Sequence, residues 1–368
     1  MKRFGTVTYN IYCDFTNYGS ALQTWALLKA INSLGHDSVL IDYCPHVLSH
    51  KHPLNPLPTM WDQDDVSRLN CELSLPAIEK NYYKFEHFYR KVCNISKERY
   101  TSKNIGSVIE NENIDGFVVG SDTVFCILEF KGFDDGYFAN YPIMKKRSVS
   151  YAASFGDAKF DDITYPMLED RLQNFKAIGI RENEMLQYVR EHCDVPCART
   201  IDPTLLLTSN DYDTITAEKQ IDEPYLLYYT RRYNPIMEKY AERKAQEKGL
   251  RLVDISLRAT NANKGHIMKY DAGVEEFLSL VKHASFVVTN SFHGLIFAVQ
   301  YKRPMVVFLR EQAGSKITEL LDLFGMQSSC LITGNEQYRG IDYQTVHANI
   351  EKARKESLDF LRMELELL

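Results

Sequence analysis

Short apolar runs alternate with segments of helical periodicity along this chain, and the alternation is typical of an α/β protein. The clearest case lies between residues 285 and 309, where the apolar, β-branched run from Phe286 to Thr289 predicts a buried strand. A helical apolar run from Leu295 to Val299 follows, and Met305 to Leu309 predicts a second strand. Strand, helix and strand together predict a βαβ unit, around which the rest of the chain is organised.

The turn between the first strand and the helix of this unit carries candidate functional residues. Asn290 and Ser291 are good N-cap residues, and His293 and Gly294 follow them at the start of the helix. In βαβ units, ligands bind outside the carboxyl ends of the strands, where the free N–H groups of a helix attract anions. His293 therefore either belongs to a ligand site or only caps and packs at the turn.

The N-terminal part of the chain predicts a similar opening. Gly5 to Tyr9 predicts a strand, the periodic apolar positions from Ala21 to Leu34 predict a helix, and Val39 to Ile41 predicts the next strand. The loop before the helix contains Asn17 and Gly19. These two residues either help to bind an anion at the helix N-terminus or serve only as a cap and a turn.

Polar residues also follow three further predicted strands. Ser121 and Asp122 come after Phe117 to Val119, Ser154 comes after Arg147 to Ala153, and Arg181 comes after Ala177 to Ile180. Asp122 suits a role as acceptor of a hydroxyl proton, and the forked guanidinium of Arg181 suits a carboxylate or a phosphate. Helix capping by Asp122 and a salt bridge from Arg181 to a nearby glutamate are the alternatives.

The remaining pattern predicts the other elements. Helices are predicted over residues 78–92, 163–176, 183–192, 235–248 and 274–283, from Ile317 to Phe324 and from Tyr343 to Leu368. Strands are predicted from Tyr225 to Tyr229 and from Leu250 to Leu257. The pattern also predicts an irregular excursion over 45–76, a linker over 208–223 and loops over 258–273 and 310–316. Lys316 falls in the first turn of its helix, where a lysine is unfavourable. It therefore either meets an anion across a cleft or lies in solvent.

These elements predict two domains and a terminal helix. We place an N-terminal domain over residues 1–208 and a C-terminal domain over residues 209–342, because Asp202-Pro203 breaks the preceding pattern and a polar stretch follows it. We expect the helix over residues 343–368 to pack back on the first domain.

Composition and charge exclude several classes of protein. The chain has 368 residues, of which 25% are charged, and its formal net charge of -6 argues against nucleic-acid binding. It contains no apolar run long enough to span a membrane, and its start lacks the apolar core of a signal peptide, so we expect a cytoplasmic protein. The eight cysteines form no C-x-x-C pair, which predicts reduced thiols, and Cys193, Cys197 and His192 do not predict a zinc site.

Six short motifs occur in order along the chain. They are Asn17-Tyr-Gly-Ser-Ala-Leu-Gln23, Gly120-Ser-Asp122, Tyr151-Ala-Ala-Ser-Phe-Gly156, Ile180-Arg-Glu182, Ile201-Asp-Pro-Thr-Leu-Leu206 and Asn290-Ser-Phe-His-Gly294. Together they resemble the polysaccharide pyruvyl transferase family, from about residue 5 to about residue 325. The family often continues Gly-Ser-Asp with Gln and then Trp, whereas this chain has Thr123-Val-Phe125. This departure concerns the contacts with an acceptor more than those with a donor.

The resemblance implies a GT-B-like α/β architecture, in which two Rossmann-like domains face a central cleft. It implies an acceptor side in the N-terminal domain and a donor side in the C-terminal domain. It also implies transfer of a pyruvyl group from phosphoenolpyruvate to two hydroxyls of a glycan, which forms a cyclic ketal and releases phosphate. Some relatives act in capsule, exopolysaccharide or cell-wall polymer pathways. A lipid-linked acceptor, for example an undecaprenyl-linked oligosaccharide, would bring the protein to the inner face of the membrane as a peripheral protein.

The same resemblance suggests a role for each candidate residue. His293 is the expected acid–base catalyst, because imidazole side chains ordinarily titrate near neutral pH, and Asp122 is the expected partner of the acceptor hydroxyls. The expected substrate-binding residues are Arg181, Lys316, Gly294, Ser291, Asn290, Asn17, Gly19, Ser121 and Ser154. No step requires a redox cofactor; a divalent metal ion would help to neutralise the phosphate, but the sequence contains no evident set of metal ligands.

Two other functions fit the same sequence. One is a glycosyltransferase of the GT-B type that uses a nucleotide sugar. The other is a non-catalytic relative that binds a glycan or a partner enzyme. The presence of His, Arg and Asp at predicted strand ends favours an enzyme over the non-catalytic alternative.

Overall fold

Two parallel β-sheets, each covered by helices, form the protein in the computed structural model, which describes residues 1–9, 11–309, 314–326, 336 and 338–368. Within these residues, seven strands form the first sheet: β1 (Arg3–Val7), β2 (Asp37–Tyr43), β3 (Ile95–Tyr100), β4 (Gly116–Val119), β5 (Ser148–Ala153), β6 (Ala177–Ile180) and β7 (Cys197–Arg199). Their order in the sheet is β3-β2-β1-β4-β5-β6-β7. The central strands β4, β5 and β6 are buried throughout, as is usual for a parallel sheet with both faces covered.

The described residues also form a second, five-stranded sheet. Its strands are β8 (Tyr225–Tyr229), β9 (Arg251–Ile255), β10 (Ile267–Met268), β11 (Phe286–Thr289) and β12 (Met305–Val307), in the order β10-β9-β8-β11-β12. In both sheets the strand order reverses beside the first strand of the sheet, between β1 and β4 and between β8 and β11. These two points are where ligands bind in open α/β sheets.

Helices cover both sheets. They are α1 (Tyr18–Ser33), α2 (Asp65–Lys91), α3 (Val108–Glu112), α4 (Thr164–Leu172), α5 (Asn183–His192), α6 (Ser209–Asp213), α7 (Pro235–Lys248), α8 (Val274–Lys282), α9 (Phe292–Gln300), α10 (Gly314–Phe324) and α11 (Tyr343–Leu367). Tyr18 at the start of α1 stacks on Phe277 of α8, with ring centroids 4.3 Å apart. The halves of the molecule are therefore in apolar contact beside both strand-order reversals.

The terminal helix α11 binds the backbone of the segment that leaves the first sheet. Arg354 donates from Nε to the carbonyl of Leu205 at 2.7 Å and from Nη2 to the carbonyl of Leu207 at 2.9 Å. The backbone N–H of Ile201 donates to the hydroxyl of Ser357 at 3.1 Å. Both helix residues are buried, and so the end of the chain packs on the first half.

Most predicted elements are confirmed, but several regions differ. The excursion predicted over residues 45–76 is wrong from Asp65 onward: α2 begins there, because Asp64 accepts from the backbone N–H groups of Val66 and Ser67 at 3.1 and 3.0 Å. The proline-rich composition concealed this start, and Pro76 lies inside the helix. The predicted linker contains α6, and the loop over 258–273 contains a 3₁₀-helix and β10. Strands β3 and β7 were not predicted, because charged residues interrupt their apolar pattern.

Several predicted positions lie outside the described residues. They are the loop residues 10 and 310–313 and one cysteine, Cys330. In the part of the chain that the structure describes, the other seven cysteines are free thiols.

Replacing Arg354 with methionine should lower the free energy of unfolding by about 2–3 kcal/mol, because two buried carbonyl groups then lose charged donors. Urea denaturation measures this cost. Arg362 lies on the same helix with a side chain that is 51% exposed, and its replacement by methionine should change stability by less than about 0.5 kcal/mol. Equal effects of the two substitutions would show that α11 is not held by these bonds.

Candidate functional site

A cavity of about 690 Å³ lies between the two halves at the carboxyl ends of their strands. Its walls come mainly from segments that follow strands: those after β1, β2, β4, β5 and β6 in the first half and those after β8, β9, β10, β11 and β12 in the second half. Among the predicted site residues, the cavity is lined by Asn17, Asp122, Arg181, Ser291, His293 and Lys316. Side chains that the sequence places far apart therefore share one space.

His293 sits in the first turn of α9 and packs against the other half of the molecule. The hydroxyl of Ser291 caps this helix by accepting from the backbone N–H of Gly294 at 3.2 Å. The imidazole lies against Gly19 of α1, and a Cβ atom added to Gly19 would be 1.9 Å from Nδ1 of His293. Gly19 is therefore the residue that leaves room for the ring. Asn17 caps α1 by accepting from the backbone N–H of Gly19 at 3.0 Å.

Asp202 is a buried carboxylate between His293 and Arg181; the sequence places it at a domain boundary and within one of the six family motifs, but it was not predicted as a site residue. Its Oδ2 lies 3.4 Å from Nε2 of His293 and 2.7 Å from Nη1 of Arg181, and its side chain is 1% exposed. Burial would raise the pKa of Asp202, but the charges of Arg181 and His293 outweigh burial and hold the pKa well below its ordinary value. The carboxylate is therefore charged and can stabilise an imidazolium at His293.

Arg181 lines the cavity, but its guanidinium is engaged by the protein. Besides the bond to Asp202, Nε donates to the carbonyl of Ala152 at 2.8 Å and Nη2 donates to the hydroxyl of Ser121 at 2.8 Å. Phe292 covers the group, with its ring centroid 5.6 Å from Cζ. Two guanidinium nitrogens thus donate hydrogen bonds to the protein and the third forms an ion pair with Asp202, so the geometry makes Arg181 a brace for Asp202 more than a clamp for a ligand.

Asp122 lies at the end of β4 with its carboxylate held in place. Oδ2 accepts from the hydroxyl of Ser20 at 2.7 Å, and Oδ1 accepts from the backbone N–H of Thr123 at 2.9 Å. Burial would raise the pKa of Asp122, but the nearby charges of Arg181, His293 and Lys316 outweigh it, and the pKa lies below its ordinary value. These cations come from both halves, so the four side chains form one electrostatic cluster.

Glu129 is a second carboxyl group in the cavity, and no pattern in the sequence singled it out. It accepts from the hydroxyl of Thr123 at 2.5 Å. Burial raises the pKa of Glu129 and so does the charge of Asp122, while the Thr123 bond and the charges of Lys316 and Lys51 offset this only in part. The site thus holds two carboxyls whose pKa values are shifted in opposite directions, which suits one for constant charge and the other for proton transfer.

Five predicted substrate-binding residues do not line the cavity. Gly19 and Gly294 are close-packed backbone positions, since a Cβ on Gly294 would lie 2.5 Å from the hydroxyl of Thr289. Ser121 is buried beneath Arg181. Ser154 is buried as well, and its hydroxyl donates to the carboxylate of Glu182.

Asn290 is the fifth of these residues, and it fixes the turn after β8. Its Oδ1 accepts from the backbone N–H of Arg231 at 3.0 Å, and its Nδ2 donates to the carbonyl of Arg232 at 2.8 Å. Asn290 therefore does not contact the cavity directly; it supports Arg231 and Arg232, which line its wall.

Three arginines of the second half line the cavity without having been predicted as site residues: Arg231, Arg232 and Arg258. Arg231 and Arg232 come just after Thr230, which follows β8, and Arg258 lies shortly after β9. The rule that singled out Arg181, a cation just after a buried strand, also applied to them.

The described residues include no group of three or more His, Cys, Asp or Glu side chains placed to hold a metal ion. No helix in the described ranges has both the length and the apolar character needed to cross a lipid bilayer.

Comparison with known proteins relates this site to a family and a fold. A family profile described as polysaccharide pyruvyl transferase matches residues 17–311, and the comparison with curated proteins gives no match. The structure is similar to a UDP-N-acetylglucosamine 2-epimerase from Rickettsia bellii, with a TM-score of 0.51 and 12% identity over 100% of this chain and 96% of that chain. It is also similar to the UDP-GlcNAc 2-epimerase of Methanocaldococcus jannaschii, with a TM-score of 0.50 and 12% identity over 98% and 99% of the two chains. These similarities concern the fold, which is GT-B, and they confirm the predicted fold class.

A double-mutant cycle should measure the energetic coupling between Arg181 and Asp202. Arg181→Met and Asp202→Asn should each lower the free energy of unfolding by about 3–5 kcal/mol, because each leaves a buried charge without its partner. The double variant should cost less than the sum of the two, by roughly 2 kcal/mol. Urea denaturation at neutral pH provides the measurement.

The matched control is the pair Lys282–Asp213, which is as short at 2.8 Å but has side chains 35% and 38% exposed. Its cycle should give a coupling energy below about 1 kcal/mol. Strict additivity in the Arg181–Asp202 cycle would contradict the view that this pair is an electrostatic unit.

Proposed function

The chain belongs to the polysaccharide pyruvyl transferase family and is a transferase, and we propose that it moves a pyruvyl group from phosphoenolpyruvate to two hydroxyls of a glycan, forming a cyclic ketal and releasing phosphate. The observation that carries this proposal is the electrostatic cluster of Asp122, Arg181, His293 and Lys316 in one cavity. We further propose that the acceptor is a lipid-linked oligosaccharide precursor of a surface polysaccharide, which the protein would meet at the inner face of the membrane.

The donor is a small anion with a carboxylate and a phosphate, and the cavity offers it positive charge. Lys316 lines the cavity and forms no ion pair with any described residue. The N-terminus of α9 adds free N–H groups beside His293. Because Arg181 forms an ion pair with Asp202, it attracts the donor by long-range electrostatics and does not bind it directly.

Ketal formation releases two hydroxyl protons, and it consumes one proton at C3 of the donor and one at the departing phosphate. A proton added to the methylene carbon C3 of the donor makes C2 cationic, and the first acceptor hydroxyl forms a C–O bond to C2 and loses its proton. The second hydroxyl then forms its bond to C2 as the C2–O bond to phosphate breaks. Of the two hydroxyl protons, one replaces the proton given to C3 and the other leaves with the phosphate. The site therefore needs a group that gives a proton and a group that takes one.

His293 is the proton donor in this scheme, because Asp202 stabilises the protonated imidazole from which C3 takes its proton. Asp122 has a lowered pKa, which suits a fixed acceptor that orients the hydroxyls. Glu129 has a raised pKa, which suits a group that takes up a hydroxyl proton and releases it to the phosphate.

Replacing His293 with alanine should lower the rate of phosphate release by about 10²–10⁴-fold, the usual contribution of one acid–base group. The assay combines phosphoenolpyruvate with a panel of lipid-linked oligosaccharides and records phosphate release together with the ketal mass on the glycan. His50→Ala is the control, because His50 is exposed and outside the cavity, and it should keep full activity. Near-normal activity of His293→Ala would refute the assigned role. Binding of a nucleoside diphosphate in preference to phosphoenolpyruvate would indicate a glycosyltransferase instead.

Replacing Gly19 with alanine should also impair transfer, because the added Cβ would displace the imidazole of His293. A displacement of about 1 Å in a reacting group can cost about 100-fold in rate, so we expect a loss of that size in kcat. Gly106→Ala is the matched control, since a Cβ there would meet no atom within 4 Å. Equal activity of the two alanine variants would show that the position of the ring is not critical.

A further inference from the structure

The cavity has a second cationic region, made by the ends of two neighbouring strands in the second half. Strands β8 and β9 pair in parallel, with Tyr229 opposite Ile255. Arg231 follows the first strand, and Ser256 and Arg258 follow the second. All three side chains line the cavity.

Two polar atoms in this region are buried without a hydrogen-bond partner. The hydroxyl of Ser256 and Nε of Arg258 have none in the part of the chain that the structure describes, and Ser256 is 1% exposed. The guanidinium of Arg258 stacks on the ring of Tyr233, with Cζ 4.0 Å from the ring centroid. Buried polar groups are normally satisfied, so two unpartnered donors in residues that line the cavity point to an acceptor supplied by a ligand.

The charges of Arg231 and Arg258 also lack a carboxylate partner within the described ranges. Arg231 donates to the carbonyl of Thr16 at 3.1 Å. Burial raises the pKa of neighbouring Cys13 to about 12 and the pKa of Tyr270 well above its ordinary value, so both stay neutral at pH 7.

The carboxylates near these arginines already have other partners. Asp14 pairs with Lys51 at 2.9 Å, and Asp62 pairs with Arg232 at 3.4 Å. Glu238, which lies within electrostatic reach of Arg258, accepts from Lys264 and Asn261 at 2.6 and 2.8 Å. None of these three carboxylates forms an ion pair with Arg231 or Arg258 within the described residues.

We propose that Arg231, Ser256 and Arg258 form a phosphate-binding site, separate from the cluster around His293 and Asp122. Two guanidinium groups and a hydroxyl present several N–H and O–H donors, which match the oxygens of a phosphate group. The proposed function supplies two sources of such a group, the phosphate of the donor and a phosphate that links the acceptor to its lipid.

Isothermal titration of the full-length protein with inorganic phosphate and with pyrophosphate tests the site. Arg231→Met and Arg258→Met should each weaken binding by about tenfold, since each removes a charged donor. Ser256→Ala should weaken it several-fold and leave the melting temperature of the free protein unchanged, because its hydroxyl has no partner there. The control is Arg251→Met, since Arg251 is exposed at the opposite end of β9. Binding by both arginine variants with unchanged affinity would overturn the proposal, as would no binding to the unmodified protein.

A second titration identifies the source of the phosphate. If saturating phosphoenolpyruvate excludes inorganic phosphate, and the arginine variants raise the KM for phosphoenolpyruvate, the site holds the phosphate of the donor. If inorganic phosphate binds alongside phosphoenolpyruvate, the site holds a phosphate of the acceptor. Failure of pyruvyl transfer with phosphate binding intact would refute only the proposed function. Unchanged phosphate affinity in the variants would refute only this site.

Discussion

A chain of buried charges from Arg181 through Asp202 to His293 determines how the site is built. Removing ions from water costs several kcal/mol for each, so such charges persist in a protein only where close partners offset the cost. Here Asp202 is within 2.7 Å of one cation and 3.4 Å of the imidazole. The carbonyl of Ala152 and the hydroxyl of Ser121 satisfy the remaining guanidinium nitrogens. Ala152 belongs to β5, Arg181 follows β6 and Ser121 follows β4. Through Arg181 and Asp202, the positions of these three strands therefore determine the position of His293.

The distribution of charge divides the cavity into one region suited to proton transfer and another suited to anion binding. The cluster around His293 and Asp122 has charges of both signs within electrostatic reach of one another, and the raised pKa of Glu129 adds a carboxyl that can exchange a proton. The region of Arg231 and Arg258 has positive charge with no described carboxylate bound to it. A balanced cluster suits proton transfer, whereas an unbalanced one suits the binding of an anion.

The architecture and the location of the site could be predicted from sequence because both depend on local patterns. Apolar runs mark buried parallel strands, and polar residues just after them must meet at one edge of the sheet. This reasoning places Asp122, Arg181 and His293 in one cavity, and the structure agrees.

Partners and pKa values could not be predicted, because they depend on distances between segments remote in sequence. Asp202, next to a proline, was interpreted as part of a domain boundary, and its contact with His293 exists only in the folded chain. Ser154 follows a strand as Asp122 does, but its hydroxyl turns toward Glu182. The start of α2 was hidden for a local reason, since prolines and histidines outweighed the single capping residue Asp64.

The contact between Gly19 and His293 has a consequence for the integrity of the reaction centre. His293 lies in α9 of the C-terminal half, but its imidazole packs against Gly19 in α1 of the N-terminal half. The carboxylate of Asp202 that supports the imidazole follows β7, which is also in the N-terminal half. Neither half expressed as a separate polypeptide would contain a complete centre. Any hinge motion that admits substrates must therefore restore this contact before chemistry can begin.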